Sequence, residues 1–396
     1  MSTLCWQAGN ASGGFMAGIL IQALIALENS DYSWANWQGT LLVFPVMIIC
    51  AACNIYFAHA LPIMQNVIMA LHVIGFCAII VVLWVLAPHV PASTALLEFT
   101  NAGGWSSTGL ALMVGQITAV TGLASSDAAA HMSEEVTDAG LSVPRSMMWT
   151  FWVNGLMGFV LIITYIFCMP SVDDALHDPT GFPMIYVFNL AMPVEGTVVV
   201  VVLLLVLLMA GNISYNASTA RQTFAFARDR GLPFSSWVSK VHPTVLVPVN
   251  AVILSVVLTC LISLINIGSS AAFNAIISLA TVAQMSTYLI SITCVLYRRV
   301  RAPHLLPNAR WSLGRMGVAI NTGAVAYASL VFFWSFWPNG TPVDATSFNW
   351  APVMFVVVLV LSLTIFMVKG RRVYSGPVKI VEGHEEAEME LSGKVL

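Results

Sequence analysis

Ten stretches of about 20 mainly apolar residues, each long enough to cross a hydrocarbon layer, run through this 396-residue sequence and restrict it to a membrane-embedded helical fold. They lie at roughly 4–27, 36–58, 62–87, 107–133, 147–169, 196–220, 247–267, 271–297, 313–337 and 350–369. Pro, Gly, Asn or Asp bounds most of them, as loops require. The sixth continues without a Pro or Gly breaker from 212 to 230 and is expected to be one long helix leaving the membrane. Charged residues make up only 8% of the chain, against about 25% in soluble domains. That is too few to cover a soluble fold of this size, whereas lipid accepts an apolar exterior. The expected fold class is all-α, a polytopic membrane bundle of about ten spans over residues 1–375. An acidic cytoplasmic tail, 376–396, is expected to follow without structure.

The basic residues set an orientation. With these spans, all 15 Lys and Arg fall on one side, from Arg145 after the fourth segment to Lys394 after the tenth. The opposite loops carry none and hold Glu28, Asp31, Glu98, Asp173, Asp174, Asp178, Glu195 and Asp344. The positive-inside rule makes the basic loops, and both termini, cytoplasmic. Trp34, Trp37, Trp105, Trp334, Trp337 and Trp350 sit near segment ends on the other side, where interfacial belts form. Asn339 opens an outward glycosylation sequon, Asn-Gly-Thr.

Polar groups inside a membrane are costly and so point to function. The fourth segment holds the densest set: Thr121, Gly122, Ala124, Ser125, Ser126 and Asp127, then His131, Ser133, Glu134 and Glu135. Gly122 and the small residues after it weaken a helix, and the two serines can re-satisfy freed backbone groups. A helix interrupted there would expose backbone groups to a solute; an unbroken helix with a polar stripe fits the same residues. Asp127 either pairs with a cation, touches a solute or carries a proton. Glu134 and Glu135 either pair with a nearby Arg in an inner gate or end a solvated helix. Asn212, Asn216 and Thr219 share a helix face in the sixth segment and either supply oxygens to a solute or join helices. His72, alone in the third segment, is either a packing residue or a proton carrier. The seven cysteines form no cluster with histidines, so no metal site and no cofactor is expected. The motifs HExxH, Walker A and GxSxG are absent, which argues against an enzyme.

Three stretches carry a family resemblance. Residues 125–147, SSDAAAHMSEEVTDAGLSVPRSM, resemble the sixth helix and following loop of fungal permeases for GABA, choline and amino acids, in the amino acid–polyamine–organocation superfamily. Residues 218–233, STARQTFAFARDRGLP, resemble the inner end of that family's eighth helix, and 6–14, WQAGNASGG, its third. The resemblance extends to about residue 375. It implies two inverted five-helix repeats whose first and sixth helices break at the substrate site, with the ten segments here matching helices three to twelve and the first two missing. It implies an unwound stretch near 121–126, with Asp127 where many relatives have a gating glutamate. Glu134 and Arg145 would belong to inner acidic and Pro-Arg elements, and His72 to a helix that carries a coupling lysine in some relatives.

The function so implied is a proton-coupled permease for a small amino acid, GABA or choline. Its partners would be the solute, protons and the bilayer, with no nucleic acid, and its site the plasma membrane rather than the vacuole. The alternative is a truncated, non-transporting membrane protein, because the missing first helix would supply half the substrate site.

Overall fold

The computed structural model describes residues 1–29, 31–268, 272–306, 309–344 and 347–374. The expected acidic tail, 376–396, lies outside the described residues. The described chain is helical: α1 (Ser2–Glu28), α2 (Asn36–Tyr56), α3 (Leu61–Leu86), α4 (Thr108–Leu123), α5 (Ala128–His131), α6 (Ala139–Phe167), α7 (Val194–Arg228), α8 (Val249–Ser263), α9 (Ala272–Arg301), α10 (Gly317–Trp334) and α11 (Ala351–Ile365). Short helices at Ala92–Leu97, Val172–Leu176, Pro183–Ala191 and Ser235–Val238 join them. Among the described residues nine helices are long and apolar enough to cross a membrane. The fourth expected segment is divided into α4 and α5. The sixth is indeed one helix, α7, of 35 residues. The fifth starts earlier than expected: the helix already runs through Pro144 and Arg145 from Ala139.

The core is built around α1, which packs against α7, α9, α2 and α8. Small residues make that approach possible. A Cβ on Gly9 would stand 2.0 Å from the Tyr215 hydroxyl oxygen, and one on Gly13 would stand 2.1 Å from Asn212 Oδ1. Glycines spaced along one helix let a neighbour come this close in lipid, where packing and hydrogen bonds rather than water expulsion hold helices together.

The hydrogen bonds are dense along the same seam. Gln7 Nε2 donates to Thr223 Oγ1 and to Ser255 Oγ, each at 2.9 Å. Asn10 Nδ2 donates to Thr259 Oγ1 at 3.0 Å. Asn212 Nδ2 donates to the Gly13 carbonyl at 2.9 Å, and Thr219 Oγ1 to the Trp6 carbonyl at 3.2 Å. Such contacts contribute on the order of 0.6 kcal/mol each. Their number on α1 and α7 ties these two helices into one wall.

By contrast α3 and α6 bury little: Gly75, Ile79 and Leu83 on α3, Val143 and Thr164 on α6. Both are apolar around most of their circumference, as a lipid-facing helix must be. At one end of the bundle the tryptophans gather. Trp105 and Trp337 rings lie 5.7 Å apart, and Trp334 and Trp337 rings 5.0 Å. At the other end stand Arg221, Arg228 and Arg310, paired with Glu135, Glu134 and Asp138. These are called the tryptophan end and the basic end below.

Candidate functional site

The interruption between α4 and α5 is the centre of the site. α4 stops at Leu123, Ala124 is extended (ψ 167°), and Ser125 takes a left-handed φ of 66°. A non-glycine residue in that region costs of order 1–3 kcal/mol unless its surroundings hold it. The Ser125 hydroxyl donates to the Tyr215 hydroxyl at 3.3 Å, linking the bend to α7. Gly122, the expected weak point, still lies within α4, and the chain departs two residues later. A Cβ on Gly122 would meet nothing within 4 Å.

That open space belongs to a cavity of about 520 Å³ running from the tryptophan end down to the break. Gly103, Trp105 and Asn339 lie at its mouth; Met16, Thr118, Ile277 and Ser278 form its walls; Thr121 and Gly122 form its floor. Thr121 lies 13 residues along α4 from Thr108, about 20 Å at 1.5 Å per residue. The mouth is framed by two loops joined through Thr341, whose amide donates to the Gly103 carbonyl at 2.7 Å. Thr121 and Thr281 share a hydroxyl contact of 3.4 Å across the cavity floor. At the end of α4 the Thr121 carbonyl accepts the Ala124 amide at 3.3 Å, and a helix C-terminus carries partial negative charge.

Just below the floor lies a polar and aromatic cluster. Gln284 Nε2 donates to Asp127 Oδ1 at 3.4 Å and to the Tyr288 hydroxyl at 2.9 Å. Asp127 Oδ2 is 3.5 Å from His131 Nε2, and both side chains are largely buried. The Trp6 ring meets His131 edge-on at 4.8 Å and Tyr215 at 4.7 Å. Sequence reasoning placed His131 in the polar set without giving it a role, and it did not find Trp6, Tyr215, Gln284 or Tyr288. Tyrosine and tryptophan in apolar helices read as packing; only the fold brings them to the carboxylate.

At the basic end the chain after α5 is clamped to α7. Arg228 holds Glu134 through its two terminal guanidinium nitrogens, Nη2 to Oε1 at 3.0 Å and Nη1 to Oε2 at 3.1 Å. Arg221 likewise holds Glu135, with Nη2 to Oε2 at 3.0 Å. The cavity lies toward the tryptophan end, and the two forked ion pairs stand at the basic end.

Several expected site residues fall elsewhere. Arg145 is exposed on α6 and makes no ion pair among the described residues; Arg228 and Arg221 take the acidic partners instead. His72 is exposed on α3, with no contact to Asp127. Asn212 and Asn216 are buried between helices. Asn216 Nδ2 donates to Asn10 Oδ1 at 3.4 Å and its Oδ1 accepts from Asn54 at 3.2 Å, so its amide joins three helices rather than facing the cavity. Thr121 and Gly122 do line the cavity, Ala124 and Ser125 form the bend, Ser126 follows it, and Asp127 sits under the floor. Among the described residues no group of His, Cys, Asp and Glu is arranged to hold a metal ion.

The model of a family described as amino acid permease matches residues 1–360. A Macrophomina phaseolina protein named for amino acid/polyamine transport is 30% identical over 86% of this chain and 76% of its own length. An amino-acid permease of Arabidopsis thaliana is 27% identical over 94% of this chain and 74% of its own. A choline transporter of Saccharomyces cerevisiae is 29% identical over 71% of this chain, which spans 49% of that protein.

Proposed function

The chain belongs to the amino acid permease family, and from that premise we propose that it carries a small amino acid, GABA or choline across a membrane with protons as the coupling ion. It is an integral, multi-pass membrane transporter and not an enzyme. The family match over residues 1–360 favours this over a non-transporting membrane protein.

The single observation that carries the reading is the interruption of α4 at the bottom of a cavity, with Asp127 beneath it. Water cannot satisfy backbone groups inside a bilayer, so irregular backbone at that depth is tolerated where it lines a cavity. The features around it favour a solute carrying an ammonium group. The C-terminal carbonyls of α4 present partial negative charge at the floor. Asp127 adds a carboxylate, and Trp6, Tyr215 and Tyr288 add aromatic rings of the kind that attract organic cations. The amine of an amino acid and the quaternary ammonium of choline both fit that chemistry.

Transport then proceeds by alternating access. A solute enters from the tryptophan end and reaches Thr121 and the bend. Release requires the Glu134–Arg228 and Glu135–Arg221 pairs to open, so that α5 and the chain after it move relative to α7. The basic end is assigned to the cytoplasm by the positive-inside rule, with the chain at the plasma membrane.

The test is uptake by the purified chain in proteoliposomes, with radiolabelled GABA, choline and a panel of amino acids. Uptake that rises with an imposed inward proton gradient is expected. Uptake insensitive to the gradient overturns the coupling assignment, and a preference for solutes without an ammonium group overturns the substrate class.

A further inference from the structure

At the basic end a second cavity, about 370 Å³ in volume, opens between the end of α7 and the last helix, remote from the broken segment. Its floor is apolar, formed by Phe226, Leu232, Ile365 and Phe366, while Arg230 and Lys369 stand on its rim.

Local backbone makes this shape. Beyond Arg228 the chain turns through Arg230, whose φ of 62° is the left-handed value that ends a helix, and the backbone leaves the α7 axis there. The Phe226 ring then lies so close over Gly231 that a Cβ there would stand 2.0 Å from Cε2. On the opposite wall α11 gives way to a single π turn, Phe366–Gly370, a local widening that recurs at functional sites.

Two further observations describe what fits. Arg221, Arg228 and Arg310 are all paired with carboxylates, yet Arg230 and Lys369 make no ion pair among the described residues. The same loop also holds Phe234 out at 82% exposure and Trp237 at 45%, with Lys240 close in sequence. Exposed aromatics beside basic residues are the pattern of a membrane–water boundary. The cavity is therefore at headgroup depth, with cations at its rim and an apolar floor continuous with a helix that buries almost nothing inside the bundle.

We propose that this groove binds an anionic phospholipid of the leaflet at the basic end. Its phosphate and headgroup would lie between Arg230 and Lys369, and the upper part of an acyl chain along Ile365 and Phe366. Basic pockets between membrane helices select such headgroups. Each cation near an anionic surface adds about fivefold in affinity, so the pair is worth roughly 25-fold. The apolar floor distinguishes a lipid from free phosphate, which has nothing to place there.

Native mass spectrometry of the full chain released from nanodiscs of phosphatidylcholine and phosphatidylserine tests this. Preferential retention of phosphatidylserine is expected. It should fall at least tenfold in the Arg230→Gln, Lys369→Gln double variant, and hold in Arg301→Gln, Arg315→Gln, which removes the same charge elsewhere. All four side chains are exposed, and unchanged thermal stability of both variants will show that folding is kept. Equal loss in the two variants would reduce the effect to surface charge and overturn the site. Displacement by millimolar inorganic phosphate would make the ligand a soluble anion. A carbodiimide cross-link from Lys369 to a glutamate of residues 382–390 would put this chain's own C-terminal segment in the groove. Either result overturns the proposal.

Discussion

His131 Nε2 lies 3.5 Å from Asp127 Oδ2, one helical turn away on the short helix that follows the break. The two groups face Trp6 and Cys5 on α1, Tyr215 on α7, and Gln284 and Tyr288 on α9. Histidine is the side chain whose charge changes most readily between pH 5 and 8. Replacing Asp127 by Asn keeps the size and removes the negative charge; replacing His131 by Gln keeps a donor and removes the imidazole. Proteoliposome uptake measured from pH 5 to 8 is expected to drop about tenfold or more in the first variant. In the second the level should be retained in part while its pH dependence flattens. A wild-type pH profile in both variants would remove this pair from coupling.

The Glu134–Arg228 and Glu135–Arg221 pairs are partly exposed, with Glu134 at 57% and Arg228 at 31%. Solvent screens such pairs, so each contributes about 0.2–1 kcal/mol. Their expected effect is on the balance between closed and open states rather than on folding. Reversing Glu134 to Arg should slow exchange several-fold, and adding Arg228→Glu should restore part of it. A double-mutant cycle on uptake rates with additive losses would show that the two residues act separately.

The close contact of α1 with α7 makes a stability prediction. A methyl at Gly9 would overlap the Tyr215 ring, and one at Gly13 would overlap the Asn212 amide that bonds to the Gly13 carbonyl. Overpacking of this kind costs about 1–3 kcal/mol. Gly9→Ala should cost more than Gly13→Ala, because Tyr215 is also held by Ser125 and has less freedom to move. Thermal unfolding in detergent will give the order. Gly115→Ala, where a Cβ meets nothing, is the control.

The sequence carried the helices well because hydropathy over 20 residues is a strong, local signal. The break was legible in kind, from Gly122 and the adjacent serines, and it falls inside the expected 121–126 stretch, but which residue turns was not legible. It falls where Ser125 turns left-handed, and the Tyr215 hydroxyl that holds it is 90 residues away. Asn212, Asn216 and Thr219 show why polar spacing is ambiguous: the same stripe serves a cavity or a helix seam, and here it faces α1 and α2. His72 was misplaced for a related reason. α3 is apolar on nearly every side, so its sequence does not say which face turns inward. The sequence offered Glu134 a nearby Arg without saying which, and only the packing of α7 against the turn after α5 makes it Arg228.

Gly122 offers a way to separate the cavity from the fold. Its position is inside α4, so alanine there is favourable to the helix by about 1 kcal/mol, and nothing stands where the new methyl would go. Leucine at the same position projects a branched side chain into the floor of the 520 Å³ cavity beside Thr121. Gly122→Ala is therefore expected to fold at least as well as the wild type and to lose no more than a few-fold in uptake. Gly122→Leu should fold comparably and bind solute at least tenfold more weakly, with larger amines affected before smaller ones. Unfolding temperature and solute affinity, measured on the same preparations by scanning fluorimetry and scintillation proximity, will distinguish blockage from misfolding. Undiminished affinity in the leucine variant would mean that solutes pass by another route.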